Sequence, residues 1–504
     1  MTAPHDFVEL KKRLGAIHDL RMANELLSWD QVVMMPAGGA SSRAEQMATL
    51  ETIAHERFTS AEIGQLLDRL AAYEQSLPHE SDEACLIRQT RVDYDKARKV
   101  PTELSAEMTR VSSLSRNAWA EARAKSDFSM FEPHLVQMLD LKKRYVDLFQ
   151  PTGDPYDVVL DDYERAMPTA EVAAIFAELK KAIVPLIAAI AERKDRAGDA
   201  CLHGHFPKDA QRAFCLSIVK RFGFSDEQWR LDPTTHPFAT NTGLGDIRIT
   251  TRYYEDFLSP SLFGTMHECG HGLYEHGVSP SLERTPVCQG ASLGLHESQS
   301  RLWENIVGRS RPFWRCFYPQ LQAAFPDQFR EVDLETFYRA VNTVQPGFIR
   351  VEADELTYGL HVILRFELER DMLAGRVQVK DLPRVWNERM REYLGVDVPN
   401  DAKGVLQDVH WSLGLFGYFP TYALGTIISA QIWERALAAM PDLPAQFERG
   451  EFSALREWLR TNLHCHGRKF TPKETLEKVT GSKTIDVGPF VAYVRGKFGD
   501  IYGV

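Results

Sequence analysis

Apolar residues recur at three- and four-residue intervals through most of this 504-residue chain, and that spacing constrains the fold more than any other feature. The segments VELKKRLGAIHDLRMANELLSW, RAEQMATLETIAHERF and PHLVQMLDLKKRYVDLF are clear examples. Because each of them offers one apolar helical face for burial, the pattern predicts a mainly α-helical protein. Repeats and linker-like segments do not interrupt it, so we expect a single domain over residues 1–504, built as a large two-lobed body around a cleft.

Composition narrows the range of partners and compartments. The net charge is −11, and the 59 Lys and Arg residues are dispersed, so the basic stripe that nucleic acid binding requires is missing. Neither a signal peptide nor a stretch of about 20 apolar residues is present, so we expect no membrane association. The 7 cysteines are scattered singly without a C-x-x-C pair, which favours reduced thiols and a cytoplasmic protein.

One segment departs from the helical pattern. In HPFATNTGLGDIRITTRYY, from 236 to 254, a turn-prone stretch precedes an alternating run of β-branched and aromatic residues. The pattern predicts a small β-element. An exposed strand edge in this element, directly before the motif described next, could pair with an extended peptide.

A metal-binding motif follows in SPSLFGTMHECGHGLYEHG, from 259 to 277. Ser259 or Ser261 is expected to cap its helix. His267 and His271 are four residues apart, which places both imidazoles on one helix face where they can bind one zinc ion. Glu268, next to the first histidine, is then placed to act as general base on a water activated by the metal.

A third ligand is expected from the next helix, ASLGLHESQSRLWENIVGRS, which offers His296 and Glu297. The three-histidine extension of the motif is absent, so a His₂Glu site is favoured and Glu297 is the preferred ligand. His296 remains the rival, because adjacent helical residues point about 100° apart and only one of them can face the metal.

Several blocks, taken together in this order, resemble the carboxypeptidase Taq family of metallocarboxypeptidases. The blocks are His236-Pro237-Phe238, Asp246-Ile247-Arg248-Ile249-Thr250, HECGH, His296-Glu297-Ser298, Ile349-Arg350-Val351-Glu352-Ala353-Asp354 and Gly404-Val405-Leu406-Gln407-Asp408-Val409-His410-Trp411. The early stretch LLSWDQVVMMPAGGASSRAEQ also matches, so the resemblance covers nearly the whole chain. It implies a neurolysin-like gluzincin fold around a substrate cleft, Zn²⁺ (with Co²⁺ as the alternative metal) and a homodimer.

The resemblance and the motif together indicate a zinc carboxypeptidase that releases C-terminal amino acids from peptides with a free C-terminus. A zinc oligopeptidase that cleaves internal bonds is the alternative within enzymes. A non-catalytic peptide-binding protein is a further alternative, although the expected ligands and base are all present.

Substrate recognition at a free C-terminus requires a cation, and the planar guanidinium of arginine suits a carboxylate. Arg350 is the preferred candidate and Arg248 the second, with His236 as a further substrate contact. The alternative for Arg350 is a structural ion pair with Glu352 or Asp354.

Attack by water creates an oxyanion that needs hydrogen-bond donors. By resemblance to gluzincins, we expect His410 and Tyr422 to act in catalysis and Tyr418 to contact the substrate. The alternative is that these aromatic residues belong to the core. Asp408 is expected to support its neighbours without direct participation in the chemistry.

Overall fold

A computed structural model describes residues 4–504 of the chain. The helices up to the metal-binding motif are α1 (His5–Val33), α2 (Ala40–Phe58), α3 (Ala61–Ser76), α4 (Asp82–Lys99), α5 (Thr102–Lys125), α6 (Glu132–Asp147), α7 (Tyr156–Asp161), α8 (Thr169–Ala191), α9 (Lys208–Phe222) and α10 (Ser259–His276). The remaining helices are α11 (Leu293–Arg301), α12 (Arg311–Ala324), α13 (Pro326–Phe329), α14 (Leu334–Val341), α15 (Tyr358–Leu373), α16 (Leu382–Leu394), α17 (Pro420–Ala439), α18 (Leu443–Glu448), α19 (Ser453–Asn462), α20 (Pro472–Thr480) and α21 (Gly488–Tyr502). The prediction of a mainly helical protein is therefore confirmed.

A small sheet lies between α9 and α10. Its strands are β1 (Trp229–Pro233), β2 (Ala239–Gly243) and β3 (Asp246–Thr251), in the order β1-β3-β2. β3 is the β-element that the sequence predicts, and it pairs antiparallel with β2, which lies in the stretch expected to be a turn. β1, which pairs in parallel with β3, was not predicted. β2 is an edge strand of this sheet, and its five residues are half-buried.

Two apolar cores hold the helices together. The larger extends from α5 to α21 and includes the inner faces of α10, α11, α15 and α17. The smaller joins α1, α2, α3 and α4, and it reaches Val278, Leu282 and Val287 in the segment after α10. The end of the α10 helix is thus the place where the two cores meet.

Within residues 4–504, none of the helices combines the length and the apolar character needed to cross a bilayer.

Candidate metal centre and active site

Helix α10 carries the H-E-x-x-H motif through the larger core. It begins at Ser259 with Pro260 in its first turn, and Gly277 follows its last turn. The expected serine cap is wrong: Leu258 precedes the helix, and no side chain caps it. The Ser261 hydroxyl is buried and donates to Gln211 at 2.5 Å instead, which connects α10 to α9.

Glycines allow α10, α11 and α17 to approach closely at the motif. A Cβ at Gly270 in α10 would lie 2.6 Å from the Gln299 carbonyl oxygen of α11. A Cβ at Gly425 in α17 would lie 2.6 Å from the Cβ of Glu297. Since neither distance leaves room for a methyl group, these positions set how near the three helices lie.

Three potential ligand atoms converge between α10 and α11. Oε2 of Glu297 lies 3.6 Å from Nε2 of His267 and 3.4 Å from Nε2 of His271. One ligand atom from each of the three residues lies within 4.8 Å of the other two. Tetrahedral zinc with ligand bonds of about 2.0–2.1 Å would separate its ligand atoms by about 3.3 Å. The arrangement therefore fits a zinc-sized divalent metal held by three protein groups.

His296, the rival third ligand, lies behind this cluster. Its Nδ1 is 2.6 Å from Nδ1 of His271, the ring nitrogen that faces away from Glu297. Its Nε2 is 2.7 Å from Glu275. The structure thus groups Glu297, and not His296, with the two motif histidines.

Charged side chains that the sequence analysis missed surround the cluster. Glu304 accepts from Nδ1 of His267 at 2.9 Å, and Arg301 donates to Glu297 at 2.7 Å and to Glu304 at 3.3 Å. Glu304 lies in a π-helical turn, Leu302–Val307, that continues α11. Such turns are frequent at functional sites, but the only signal in the sequence is the spacing of Glu297, Arg301 and Glu304 along one helix.

Burial and neighbouring charges set different pKa values for the carboxylates. Burial raises the pKa of Glu268 to about 7. Burial also acts on Glu304, but Arg301 and His267 outweigh it and lower the pKa of Glu304 to about 2. One carboxyl near the ligands is therefore a permanent anion, while Glu268 can exchange a proton near neutral pH.

Arg350 lies in a buried ion-pair cluster with Asp408. It is part of a 3₁₀ turn, Arg350–Glu352, and its guanidinium donates to Asp408 at 2.8 Å and 3.1 Å and to the Tyr358 hydroxyl at 3.0 Å. The alternative of a structural pair with Glu352 or Asp354 is wrong, because the ion-pair partner is Asp408.

A second arginine makes this cluster electropositive. Arg365 contacts the other Asp408 oxygen at 2.6 Å, so two guanidiniums share one carboxylate. The side chains of Arg350 and Arg365 are 6% and 0% exposed, which leaves one uncompensated positive charge in a buried place. Three of the five N–H groups of Arg350 are used, and two remain for another acceptor.

The predicted oxyanion residues lie next to Arg350. Nε2 of His410 is 3.3 Å from the Tyr422 hydroxyl, and the Tyr418 ring is 5.4 Å from the His410 ring. The Arg350 guanidinium lies 4.9 Å from the centre of the Tyr422 ring. Burial lowers the pKa of His410 to about 3, so its imidazole is neutral at physiological pH.

A chain of contacts connects this cluster to the metal ligands. Arg301, which donates to Glu297, lies 4.2 Å from the centre of the Tyr358 ring, and the Tyr358 hydroxyl accepts from Arg350. The structure therefore brings together the predicted ligands, Arg350, His410, Tyr418 and Tyr422.

Two predicted substrate contacts lie elsewhere. Arg248 points to the face of the sheet opposite the buried Ile247 and Ile249, forms a bidentate pair with Asp246, and packs 4.5 Å from the Trp29 ring of α1. His236 is exposed in the segment between β1 and β2. The structure does not place either residue beside the metal ligands.

A cavity of about 850 Å³ adjoins the ligand cluster between the two cores. Its walls include the edge strand at Ala239, Thr240 and Asn241, the side chains of Glu275 and His296, and parts of α1 and α4. The cavity and β2 therefore lie on the side of the ligand cluster where His296 contacts Nδ1 of His271.

Comparisons with known proteins agree with this geometry. The family described as carboxypeptidase Taq (M32) metallopeptidase matches residues 9–498. Thermostable carboxypeptidase 1 of Thermus thermophilus is 42% identical, with 95% of each chain covered, and carboxypeptidase 1 of Bacillus subtilis is 38% identical, with 99% of each covered. The crystal structure of the M32 carboxypeptidase from Deinococcus radiodurans has a TM-score of 0.95 at 41% identity, covering 99% of this chain and 100% of that one. The resemblance, the fold and the predicted peptide hydrolysis are confirmed: this chain belongs to the carboxypeptidase Taq (M32) family and is a metallocarboxypeptidase.

Proposed function

We propose that this metallocarboxypeptidase binds Zn²⁺ through His267, His271 and Glu297 and removes residues from the free C-terminus of peptides. The observation that carries the proposal is the convergence of these three ligand groups beside the buried Glu268. Two imidazoles and one carboxylate are a donor set typical of catalytic zinc, and Co²⁺ is the alternative. When bound, the metal supplies Lewis acidity toward the scissile carbonyl and the attacking water.

Glu268 acts as the general base. It follows the first ligand directly, is 6% exposed, and has a pKa near neutrality when the site holds no added charge. A nearby divalent cation favours the carboxylate form, so Glu268 is ready to accept a proton from water. The same group can return this proton to the leaving amine.

Arg350 receives the C-terminal carboxylate of the substrate. The surplus positive charge that it shares with Arg365 across Asp408 is buried, where an incoming carboxylate gains most from it. Its two unused N–H groups supply the bidentate contact. Arg248 is the second candidate for binding the substrate carboxylate, and His236 is a further candidate for contact with the substrate. Both residues lie away from the proposed metal ligands.

His410 and Tyr422 donate hydrogen bonds to the oxyanion, and Tyr418 contacts the substrate. Their support is the short distance to Arg350 and the neutral state of His410, whose imidazole carries one N–H that can be donated to an oxyanion. The high pKa of the buried Tyr422 keeps its hydroxyl protonated for the same purpose.

The remaining proposals concern the whole molecule. All seven cysteines are free, which suits the cytoplasm. The family match from 9 to 498 supports a single domain over residues 1–504. A homodimer is proposed from the resemblance alone, and light scattering of the purified protein tests it.

Two measurements test the proposal. Metal analysis should find one Zn²⁺ per chain, and Glu297→Ala should lose both the metal and the activity. N-blocked peptides with a free C-terminus should lose single residues, whereas C-amidated peptides should react slowly. Retention of zinc by Glu297→Ala would overturn the ligand assignment, and release of internal fragments from amidated peptides would overturn the carboxypeptidase specificity.

A further inference from the structure

We propose that His296 and Glu275 are positioning residues: they form a hydrogen-bond relay that orients the ligand His271 and connects it to the edge strand β2 through Asn241. The inference rests on the proposed metal centre and assigns a role to three side chains that do not touch the metal.

The relay is continuous from the ligand to the strand. His271 and His296 contact each other through Nδ1 at 2.6 Å, and Nε2 of His296 lies 2.7 Å from Oε1 of Glu275. The other oxygen of Glu275 accepts from the Asn241 amide at 3.0 Å. Three hydrogen bonds therefore join the two ends.

Metal binding to His271 would fix which group donates and which accepts in each hydrogen bond of the relay. Because the metal takes Nε2 of His271, the proton of this imidazole must be on Nδ1. His296 then accepts on Nδ1 and carries its own proton on Nε2, which it donates to the carboxylate of Glu275. Asn241 must donate as well, since an ionised carboxylate only accepts.

The surroundings keep the relay in place. His296 and Glu275 have side chains that are 20% and 16% exposed, and the His296 ring lies 5.3 Å from the Tyr274 ring. A Cβ at Gly290 would lie 2.7 Å from Cδ2 of His296, and the Gly290 amide donates to Glu275 at 3.2 Å. The ring of His296 can thus neither rotate nor move without the loss of a contact.

The relay has two consequences for the enzyme. It fixes the tautomer and the plane of His271, and the negative charge at its far end makes that imidazole a stronger ligand. It also anchors β2, which lines the cavity beside the cluster, to the same ligand. A shift of the edge strand is therefore transmitted to the metal.

The experiment measures Zn²⁺ affinity by competition with a chelator and the visible absorption spectrum of the Co²⁺-loaded protein. His296→Phe keeps an aromatic ring against Tyr274 but cannot accept a hydrogen bond. We expect Zn²⁺ affinity to fall by about 10–100-fold and the Co²⁺ bands to shift. His296→Asn, which retains an acceptor near Nδ1, should recover part of the loss.

Glu275→Gln removes the negative charge of the relay but keeps its hydrogen bonds. The glutamine oxygen still accepts from His296, and the Asn241 side chain can rotate so that its oxygen accepts from the glutamine NH₂. We expect a smaller loss of affinity than for His296→Phe. The matched control is His464→Phe: this buried histidine also packs on Tyr274, at 5.0 Å, but bonds to Gln299 instead of a ligand. Its Zn²⁺ affinity and Co²⁺ spectrum should equal those of the wild type.

Wild-type affinity and spectrum in both His296→Phe and Glu275→Gln would overturn the relay, as would an equal loss in His464→Phe. If His296→Phe does not fold, His296→Asn and Glu275→Gln decide, and wild-type values in both overturn the relay. A failure of the proposed metal centre is recognised separately, because Glu297→Ala would then retain the metal.

Discussion

Replacing Arg350 with methionine should remove most of the preference for a free C-terminus. Methionine fills a similar volume without a charge. Asp408 keeps its contact with Arg365 at 2.6 Å, so the substitution does not leave a buried carboxylate without a cation. The altered enzyme should therefore fold, although the Tyr358 hydroxyl loses a donor.

The magnitude follows from the contacts that the substrate loses. A hydrogen bond to a charged group contributes about 1.5–3 kcal/mol, and a bidentate contact reaches at least the upper part of that range. Since about 1.4 kcal/mol corresponds to a tenfold change, kcat/KM on free-acid peptides should fall by about 100-fold. Amidated peptides offer no carboxylate, so their kcat/KM should change little.

The assay compares matched peptides that differ only at the C-terminus, as the free acid or the amide. Arg350→Lys should restore part of the acid preference, because an ammonium supplies charge but not a planar pair of donors. Arg248→Met is the control, since this arginine is already paired with Asp246 and packed on Trp29.

Two results would refute the reasoning. An equal loss on acids and amides would indicate damage to the catalytic site in general. An unchanged acid preference would mean that another cation receives the carboxylate, and a selective loss in Arg248→Met would identify it.

Three further predictions concern the base, the helix packing and a buried carboxyl. Glu268→Gln should retain one metal per chain by elemental analysis while kcat falls by several orders of magnitude, and near-normal turnover would exclude Glu268 as the base. Gly425→Val should lower both zinc affinity and thermal stability, because its Cβ would lie 2.6 Å from Glu297; unchanged zinc binding would show that the helices can separate. Burial raises the pKa of Glu164 from 4.5 to about 7, so its ionisation destabilises the folded protein as the pH rises through this interval. Denaturant unfolding should therefore show that Glu164→Gln gains stability relative to the wild type between pH 5 and pH 8, on the order of 3 kcal/mol; a pH-independent difference would contradict the raised pKa.

Local periodicity accounts for what the sequence could predict. The spacing of His267 and His271 places both rings on one face of α10 whatever the rest of the fold does, and the alternation from Asp246 to Thr251 appears as β3. Glu297 was predicted as the third ligand from the chemistry of His₂Glu sites, and the structure groups it with His267 and His271.

Contacts between distant segments could not be predicted in the same way. Arg350 and Asp408 are 58 residues apart, and the alternative partners Glu352 and Asp354 assumed a helix where the chain forms a 3₁₀ turn. Glu304 reaches His267 only because a π-helical turn changes the direction of its side chain. Periodicity does not encode that turn.

The directions of adjacent side chains on α11 explain why Glu297, and not His296, lies on the metal-binding side of His271. Adjacent residues on α11 point about 100° apart, so they approach His271 from different sides. Glu297 lies near Nε2 and His296 bonds to Nδ1 of the same ring. Because α11 carries both residues, a small displacement of α11 against α10 would move Glu297 away from Nε2 of His271 and His296 away from Nδ1 at the same time. The close contact at Gly270, where no side chain fits, keeps the two helices in that register.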